Sequence, residues 1–320
     1  MDGITVGVFG TEKETKDKFA SSIAKKSEAE GITVYHRTEG GRRYSFLDTS
    51  DFPERVQGYA RIASIVDHAL YLFPTSGKLT AADGELAVLL GCFGISGTLQ
   101  LLDGSASPES AREALRGTVV ANYPIEERSS SSAAIDLSKA QARVDFQSKG
   151  TLVYIDRAFT VKGVGTVALG FIISGRVSLH DQLRLIPGPP GLRADVRGIQ
   201  VNDIDFQDAG RGIRVGLSLR GVDAEVLQKS HWLDDGSFTV SERLTLSLQK
   251  SPFYKSEVES RDLHVQLAGE MVAARLSTGE NGLSDTVLSW QVPAWEGLKA
   301  AVLDLNGRNL RAAAGATCKF

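Results

Sequence analysis

The sequence predicts an α/β domain built on a doubly wound parallel sheet, followed by two all-β domains, each a β-barrel. A chain of 320 residues is long enough for two or three domains. Strand-like and helix-like segments alternate over residues 1–126, which is typical of a mainly parallel sheet covered by helices. The polar stretch RSSSSAA then lies in a region, 127–147, that we interpret as a linker. Short alternating runs broken by glycine follow, and they predict barrels over 148–236 and 237–320.

The first domain is predicted element by element. The apolar stretch ITVGVFG predicts a buried first strand, and TKDKFASSIAKKSEAEG predicts a helix that ends at Gly31. Three further strand–helix pairs follow, predicted from RYSFLDT with PERVQGYARIASIVD, HALYLFPT with TAADGELAVLLGCFG, and SGTLQLLDG with SPESAREALRGT. The stretch EGGRR is most simply a hairpin turn that exposes two arginines.

The two barrels are predicted from runs with a period of two. Leu244, Leu246 and Leu248, for example, alternate with polar residues, as in a half-buried strand. The stretch IPGPPG predicts a turn between two strands of the barrel predicted over 148–236. Trp290 and Trp295 are interpreted as packing residues at a barrel edge, in preference to a platform for stacking bases.

Composition excludes several functional classes. No apolar run is long enough to cross a bilayer and the start has no secretory pattern, so we expect a cytoplasmic protein with no membrane partner. Cys92, within AVLLGCFGI, is expected to be a buried, reduced thiol. The net charge of −3 gives no general basic surface, although a local patch can still contact nucleic acid. The five histidines are scattered without metal-ligand spacing, so we expect no metal site.

The first loop has the outline of a phosphate-binding loop. The working pattern, G-x-x-x-x-G-K-[ST], begins at Gly10 and reaches its lysine at Lys16, which favours a P-loop-type sheet. Two positions depart from it, because Thr15 replaces the second glycine and Asp17 replaces the hydroxyl residue that binds magnesium. A carboxylate about 4 Å from a phosphate is repelled by roughly 4 kcal/mol at an effective dielectric of 20, about a thousandfold in affinity.

The middle of the chain carries a resemblance to a known family. The stretches IDRAFTVKGVGTVALGFIISGRV and VRGIQVNDIDFQDAGRGIRVGLSLRGVDAEVL are similar to the second domain of translational GTPases of the elongation factor Tu class. They are most similar to the SelB-type, selenocysteine-specific branch. The third region resembles it more loosely, through LAGEMVAARL and LRAAAGA. The resemblance implies the same three-domain fold, GTP and magnesium as ligands, and aminoacyl-tRNA and the ribosome as partners.

The nucleotide motifs that the resemblance implies are degenerate in this chain. The vestigial set is Gly10, Lys16, Thr33, Asp48 and Asp103. In LDTSDF, an aspartate and a phenylalanine replace the glycine and histidine of the family's Asp-x-Pro-Gly-His motif, and a phenylalanine cannot transfer a proton. In QLLD, a leucine replaces the lysine that packs over the guanine ring. We therefore expect no GTP hydrolysis, no catalytic residue and no tightly bound cofactor, with weak binding of GTP and magnesium left open.

The resemblance also places a pocket for the aminoacylated 3′ end of tRNA on the second domain. Its positions fall on Asp156, Arg157, Phe159, Leu169, Gln200 and Arg214. An aromatic ring can stack on the terminal adenine, glutamine or carboxylate can meet ribose hydroxyls, and arginines can bind phosphate or a polar side chain. Structural alternatives remain: Asp156 and Arg157 as an exposed pair, Phe159 in the barrel core, and Arg214 paired with Asp208.

These observations predict an elongation factor-like protein that binds aminoacyl-tRNA, with a cargo that could be a non-standard amino acid. We expect a monomer. Two alternatives stay open: an atypical GTP-binding translation factor with Asp17 on magnesium, and a non-enzymatic scaffold that docks on the ribosome or another translation factor. A metabolic enzyme is disfavoured, because no nucleophile with a positioned base is found in the sequence.

Overall fold

The computed structural model describes residues 2–28, 31–146, 150–259, 261–307 and 310–320. The first domain is a sheet with helices on both faces. Its strands are β1 (Gly3–Phe9), β2 (Lys25–Glu28), β3 (Thr33–Glu39), β4 (Arg42–Asp48), β5 (His68–Leu72), β6 (Ser96–Leu102) and β7 (Ile125–Arg128). Its helices are α1 (Lys13–Ile23), α2 (Gln57–Ile65), α3 (Ala81–Phe93) and α4 (Pro108–Ala114), with a 3-10 turn at Val119–Asn122. The strand order is β2-β3-β4-β1-β5-β6-β7, and β4, β1, β5, β6 and β7 run parallel.

One predicted helix is wrong at its C-terminal end. α1 ends at Ile23, Ala24 is extended, and β2 then pairs antiparallel with β3. The stretch KKSE favours a helix locally, but here pairing with the open edge of β3 overrides that preference. Ala29 and Glu30, which the prediction also placed in the helix, lie outside the described residues.

The strand β3 was missed by the sequence prediction, while its hairpin turn is confirmed. Glu39 pairs with Arg42, so the turn has two residues, Gly40 and Gly41, with φ of 57° and 76°. Such a turn requires positive φ at both positions, which glycine adopts without strain. The hairpin forms the antiparallel side of a sheet that is otherwise parallel.

The second domain is a closed six-stranded barrel, as predicted. The strands of the domain are β8 (Leu152–Val161), β9 (Gly165–Ser174), β10 (Arg176–Ser178), β11 (Gln182–Ile186), β12 (Arg193–Val201), β13 (Ile204–Phe206), β14 (Asp208–Gly210), β15 (Arg214–Arg220) and β16 (Trp232–Asp234), with a short helix α5 (Ala224–Leu227). Of these, β10, β13 and β14 are not part of the six-stranded ring. The order β11-β16-β8-β9-β15-β12 closes through pairing of β12 with β11, and IPGPPG forms the turn between these two strands, as predicted. The first residues predicted for this barrel, Ser148 and Lys149, and the last linker residue, Gln147, lie outside the described residues.

The third domain is also a closed barrel of six strands, and we name each barrel after its domain, as the second barrel and the third barrel. The strands of the third barrel are β17 (Thr239–Lys250), β18 (Arg261–Leu267), β19 (Glu270–Thr278), β20 (Ser284–Ala294), β21 (Lys299–Leu303) and β22 (Ala312–Lys319). They close in the order β17-β20-β19-β18-β21-β22. Trp295 packs at the barrel edge against Phe146 and Phe238 and donates its indole N–H to the carbonyl of Asp145 at 2.6 Å.

The first domain and the third barrel share one apolar core. A single cluster of buried side chains runs from Phe9 and Tyr59 in the first domain to Leu263 and Ala313 in the third. Cys92 lies in this shared core, as the sequence predicts, and burial raises the pKa of its thiol to about 12. The second barrel has a separate core of its own. In the part of the chain that the structure describes, no helix is long and apolar enough to span a membrane.

Candidate functional site

The loop after β1 is shorter than a phosphate-binding loop requires. α1 begins at Lys13, only three residues after Gly10, and the amide of Lys16 donates to the carbonyl of Glu12 at 3.0 Å. In a phosphate-binding loop, backbone N–H groups at these positions point at the phosphates. Here a turn of helix occupies the second half of the motif and uses the amide of its lysine.

The side chain of Lys16 is buried, with 2% of its surface exposed. Its ammonium donates to the carbonyl of Thr49 at 2.6 Å and to the hydroxyl of Tyr59 at 2.7 Å, and it forms an ion pair with Asp48 at 2.9 Å. An ammonium group has three donors. All three therefore have partners inside the protein.

Tyr59 of α2 fills the space beneath the loop. Its hydroxyl donates to the carbonyl of Gly10 at 2.9 Å and lies 3.3 Å from both the Gly10 amide and the Asp48 carboxylate. Burial raises the pKa of Asp48, and Lys16 opposes that shift. The lysine and the first glycine of the motif thus belong to one buried polar network, which we call the Lys16 network (Gly10, Lys16, Asp48, Thr49 and Tyr59).

A second carboxylate closes the loop from outside. Glu12 accepts hydrogen bonds from the amide of Thr75 at 3.0 Å, from its hydroxyl at 2.7 Å and from the hydroxyl of Thr15 at 3.0 Å. Partial burial alone would raise the pKa of Glu12, but the bonds from Thr75 and Thr15 lower it. The cavity left beside Gly10 and Glu12 measures about 10 Å³. That is room for about one water molecule and not for a phosphate group.

The segment after Asp48 is fixed from two sides. The ring of Phe52 is buried and lies 5.3 Å from the ring of Tyr59. Arg311 of the third domain covers the other side of Phe52 and donates to the carbonyls of Pro53 at 3.0 Å and of Glu54 at 3.2 Å. Phe52, at the position of the family's histidine, is therefore a packing residue here.

Two other residues predicted for a nucleotide, Thr33 and Asp103, and the nearby Asp17 are not part of the Lys16 network. Thr33 begins β3 and pairs with Asp48 in the strand register, so it is part of the sheet. Asp17 is half-buried on α1. Asp103 is exposed after β6, and its carboxylate accepts the amide of Ser130 at 3.1 Å, which lowers the pKa of Asp103. Among the described residues, no three His, Cys, Asp or Glu side chains come together as possible metal ligands.

The second barrel, by contrast, brings its predicted residues together. Arg157, Leu169, Gly216 and Gln200 pair in one row across β8, β9, β15 and β12. Residues that pair directly share a face of the sheet. This face is the outside of the barrel, because the neighbouring positions Ile155, Ala168, Val215 and Ile199 form its core. We call it the outer face of the second barrel.

Two more predicted residues flank that row. Asp156 lies in a bulge of β8, where its carboxylate accepts the guanidinium of Arg214 at 3.0 Å, and both side chains are largely buried. Arg214 is therefore not paired with Asp208, and Asp156 is not an exposed charge. The bulge adds one residue to β8, which directs the carboxylate to this face.

Phe159 lies on the same outer face, two residues beyond Arg157. It is 37% exposed, so it is not a core residue of the barrel. Gly170 keeps the adjoining strands close, since a Cβ there would lie 2.1 Å from the carbonyl oxygen of Tyr154. The six predicted residues are thus brought to one surface.

A cavity of about 410 Å³ opens beside Asp156, Arg157 and Phe159. All three domains line it, with Arg61 from α2, His231 from the second domain and Glu270 from the third. Glu270 accepts the Tyr154 hydroxyl at 3.1 Å and lies 3.6 Å from His231, whose ring stacks on Trp290. The cavity therefore offers both charge signs and aromatic walls.

Positive charge gathers where this face meets the first domain. Burial, with Arg214 and Arg43 nearby, lowers the pKa of His36 on β3 to about 4. Burial and Arg214 also lower the pKa of Arg157.

Comparisons with known proteins agree with this architecture, although no family model matches the chain. An uncharacterized protein of Methanocaldococcus jannaschii is 27% identical over 269 residues, 84% of each chain. The selenocysteine-specific elongation factor of Escherichia coli is 30% identical over 167 residues, 50% of this chain and 26% of that protein. The crystal structure of the elongation factor SelB from Methanococcus maripaludis with the GTP analogue GPPNHP superposes with a TM-score of 0.83 at 20% identity, over 100% of this chain and 80% of that one.

The chain is similar in sequence and in fold to selenocysteine-specific elongation factors. It spans about a quarter of the E. coli factor that it matches. The sequence positions shared with this family identified Lys16 and the outer face of the second barrel, but not the groups that surround them. Tyr59, Arg61, Arg311 and Glu270 were missed, because each acts across a domain or loop boundary that no local sequence signal marks.

Proposed function

We propose that this elongation factor-like protein binds the aminoacylated 3′ end of a tRNA on the outer face of its second barrel, without hydrolysing GTP. The observation that carries the proposal is the gathering of Arg157, Leu169 and Gln200 in one row, beside the Asp156–Arg214 pair and a cavity of about 410 Å³. The similarity to selenocysteine-specific elongation factors supports a role in translation.

Each group on this face has chemistry suited to the end of an RNA strand. Phe159 is exposed enough for a base to stack on its ring, and such stacking contributes about 1–3 kcal/mol per base. Gln200 is exposed and offers an amide to ribose hydroxyls or base edges. The arginines supply planar donors for phosphate or for a polar side chain of the cargo.

The cargo we favour carries a non-standard amino acid, with pyrrolysine as one candidate. Leu169 is apolar and lies between Arg157 and Gly216, so the row of paired residues includes an apolar contact surface beside its charged group. The nearby cavity has polar groups of both signs, which suits a bulky side chain with hydrogen-bonding atoms.

The absence of hydrolysis is supported by the Lys16 network. The lysine that would hold the phosphates has all its donors engaged, and Phe52 is buried where the water-orienting histidine would stand. Calorimetric titration with magnesium–GTP and magnesium–GDP tests this part. We expect no binding up to millimolar nucleotide, and micromolar binding would favour an atypical GTP-binding factor.

Filter binding at low salt, with aminoacylated and deacylated bulk tRNA, tests the cargo site. We expect the aminoacylated form to bind more tightly, and Arg157→Ala to weaken that binding by at least tenfold. Arg197→Ala is the matched control, because this exposed arginine lies elsewhere on the same barrel, paired with Asp195. It should change the affinity by less than threefold.

Absence of tRNA binding by the wild-type protein would contradict the proposal. Co-purification with ribosomal subunits in that case would instead support a docking scaffold.

A further inference from the structure

In the first domain, charged and polar side chains join the segments around the loop after β1. In the Lys16 network, a lysine ammonium, a tyrosine hydroxyl and an aspartate carboxylate join the loop after β1 to α2 and to the end of β4. Glu12 places a negative charge at the outside of the same loop and is held there by Thr75. The loop after β1, α2 and the end of β4 border the space that the phosphates of a nucleotide would occupy, which we call the cradle. The protein's own side chains join these three segments to one another.

The same segments are anchored to the third barrel. Arg311 donates to Glu85 on α3, from Nε at 3.0 Å and from its amide at 2.7 Å, and to the carbonyls of Pro53 and Glu54. Its guanidinium thus joins α3, the segment after Asp48 and the start of β22. Displacing the segment after Asp48 would break both of its hydrogen bonds from the Arg311 guanidinium.

α2 is fixed in turn by both barrels. The Ser64 hydroxyl oxygen accepts from the Gln266 amide at 3.1 Å and from the Gly269 backbone at 2.8 Å, both in the third barrel. Just after α2, Asp67 accepts the amide and hydroxyl of Thr5 and the guanidinium of Arg211 from the second domain. The C-terminal end of α2 and the residue Asp67 just after it therefore lie at the junction of all three domains.

We propose that these contacts form an internal brace, which holds the three domains in one arrangement whether or not a nucleotide is present. A ligand shifts a conformational equilibrium only by its difference in affinity between the two states. The Lys16 network, as part of the brace, already uses the groups in the cradle through which a bound phosphate would favour one domain arrangement over another. The outer face of the second barrel therefore keeps one position relative to the other two domains.

Small-angle scattering and hydrogen exchange of the full chain test the brace. Addition of 1 mM magnesium–GTP or magnesium–GDP should leave the scattering profile and the exchange of residues 8–16 and 52–66 unchanged. A change in the radius of gyration, or slower exchange of residues 8–16 with nucleotide, would overturn the proposal.

Variants of Arg311 test the anchor to the third barrel. Arg311→Ala should speed exchange of residues 52–56 at least tenfold, since the amide of Arg55 bonds to the carbonyl of Asp51 within the segment that Arg311 holds. Arg243→Ala, an exposed arginine on the same barrel, is the control and should change nothing. Equal exchange in the two variants would overturn the role of Arg311.

If Arg311→Ala does not fold, Arg311→Lys provides the same test, because it keeps the charge near Glu85 but loses the forked contacts to the two carbonyls. These measurements use no RNA. Their outcome is therefore independent of whether the proposed tRNA binding is found.

Discussion

Replacement of Lys16 by methionine distinguishes a structural lysine from one kept for a nucleotide. The substitution keeps most of the side-chain volume but leaves the Asp48 carboxylate buried without its cation, with hydrogen bonds from the Thr49 amide and the Tyr59 hydroxyl remaining. Removing one partner of a buried ion pair typically costs about 3–5 kcal/mol, because the remaining charge is uncompensated. We expect Lys16→Met to lower the free energy of unfolding by that amount.

Urea unfolding followed by circular dichroism measures the effect. With a denaturant slope of about 3 kcal/mol per M, the midpoint should fall by more than roughly 1 M. Lys18→Met is the matched control, since Lys18 is exposed on the same helix, and it should change stability by less than about 0.5 kcal/mol. The double variant Lys16→Met/Asp48→Asn should be clearly less destabilised than the sum of the two single variants, because the two groups interact directly.

Two results would contradict a structural role for Lys16. If Lys16→Met stays within about 1 kcal/mol of the wild type, the ion pair with Asp48 is not a major stabilising contact. If the same variant also loses a measurable affinity for magnesium–GTP, Lys16 serves the nucleotide after all.

Three further predictions follow from buried groups and from glycines. Burial lowers the pKa of His68 to about 4, so between pH 6.5 and 4 the unfolded chain binds more protons than the folded one. The free energy of unfolding should therefore fall by up to about 3 kcal/mol as the pH drops through that window. In urea unfolding at several pH values, His68→Gln should reduce this dependence on pH. Gly170→Ala should lower the midpoint of thermal unfolding, because the added Cβ would lie 2.1 Å from the carbonyl oxygen of Tyr154. Gly84→Ala on α3 is its control: the added Cβ would meet nothing within 4 Å, and the free energy of unfolding should rise by about 0.5–1 kcal/mol. Burial raises the pKa of Cys92 and Cys318 to about 12, so iodoacetamide should modify neither thiol at pH 8 until the protein is unfolded, and rapid labelling of the native protein would contradict their burial.

Periodicity and turn signals were enough to predict most of the architecture. The buried strand at Gly3–Phe9 and the glycine hairpin at residues 40–41 follow from local rules of burial and backbone conformation. The strand Lys25–Glu28 could not be predicted in this way, because its residues favour a helix and become a strand only through pairing with Thr33–Glu39.

The candidate site divides along similar lines. The positions on the second barrel were predicted from motifs, and the strand register explains how they reach one face. Their partners were less predictable: Arg214 pairs with Asp156 because a bulge in β8 turns that carboxylate toward it, and bulges have no reliable sequence signature here. Lys16 was predicted as a motif residue, but its contacts depend on Tyr59, which lies 43 positions away and which no motif marks.

Cargo binding by this protein should not depend on nucleotide. The most direct test measures the dissociation constant of the wild-type protein for aminoacyl-tRNA in three conditions: without nucleotide, with 1 mM magnesium–GTP and with 1 mM magnesium–GDP. We predict the same value within twofold in all three, because the proposed brace already fixes the domains without nucleotide. Binding that appears only with GTP, or that tightens tenfold or more with it, would contradict the account.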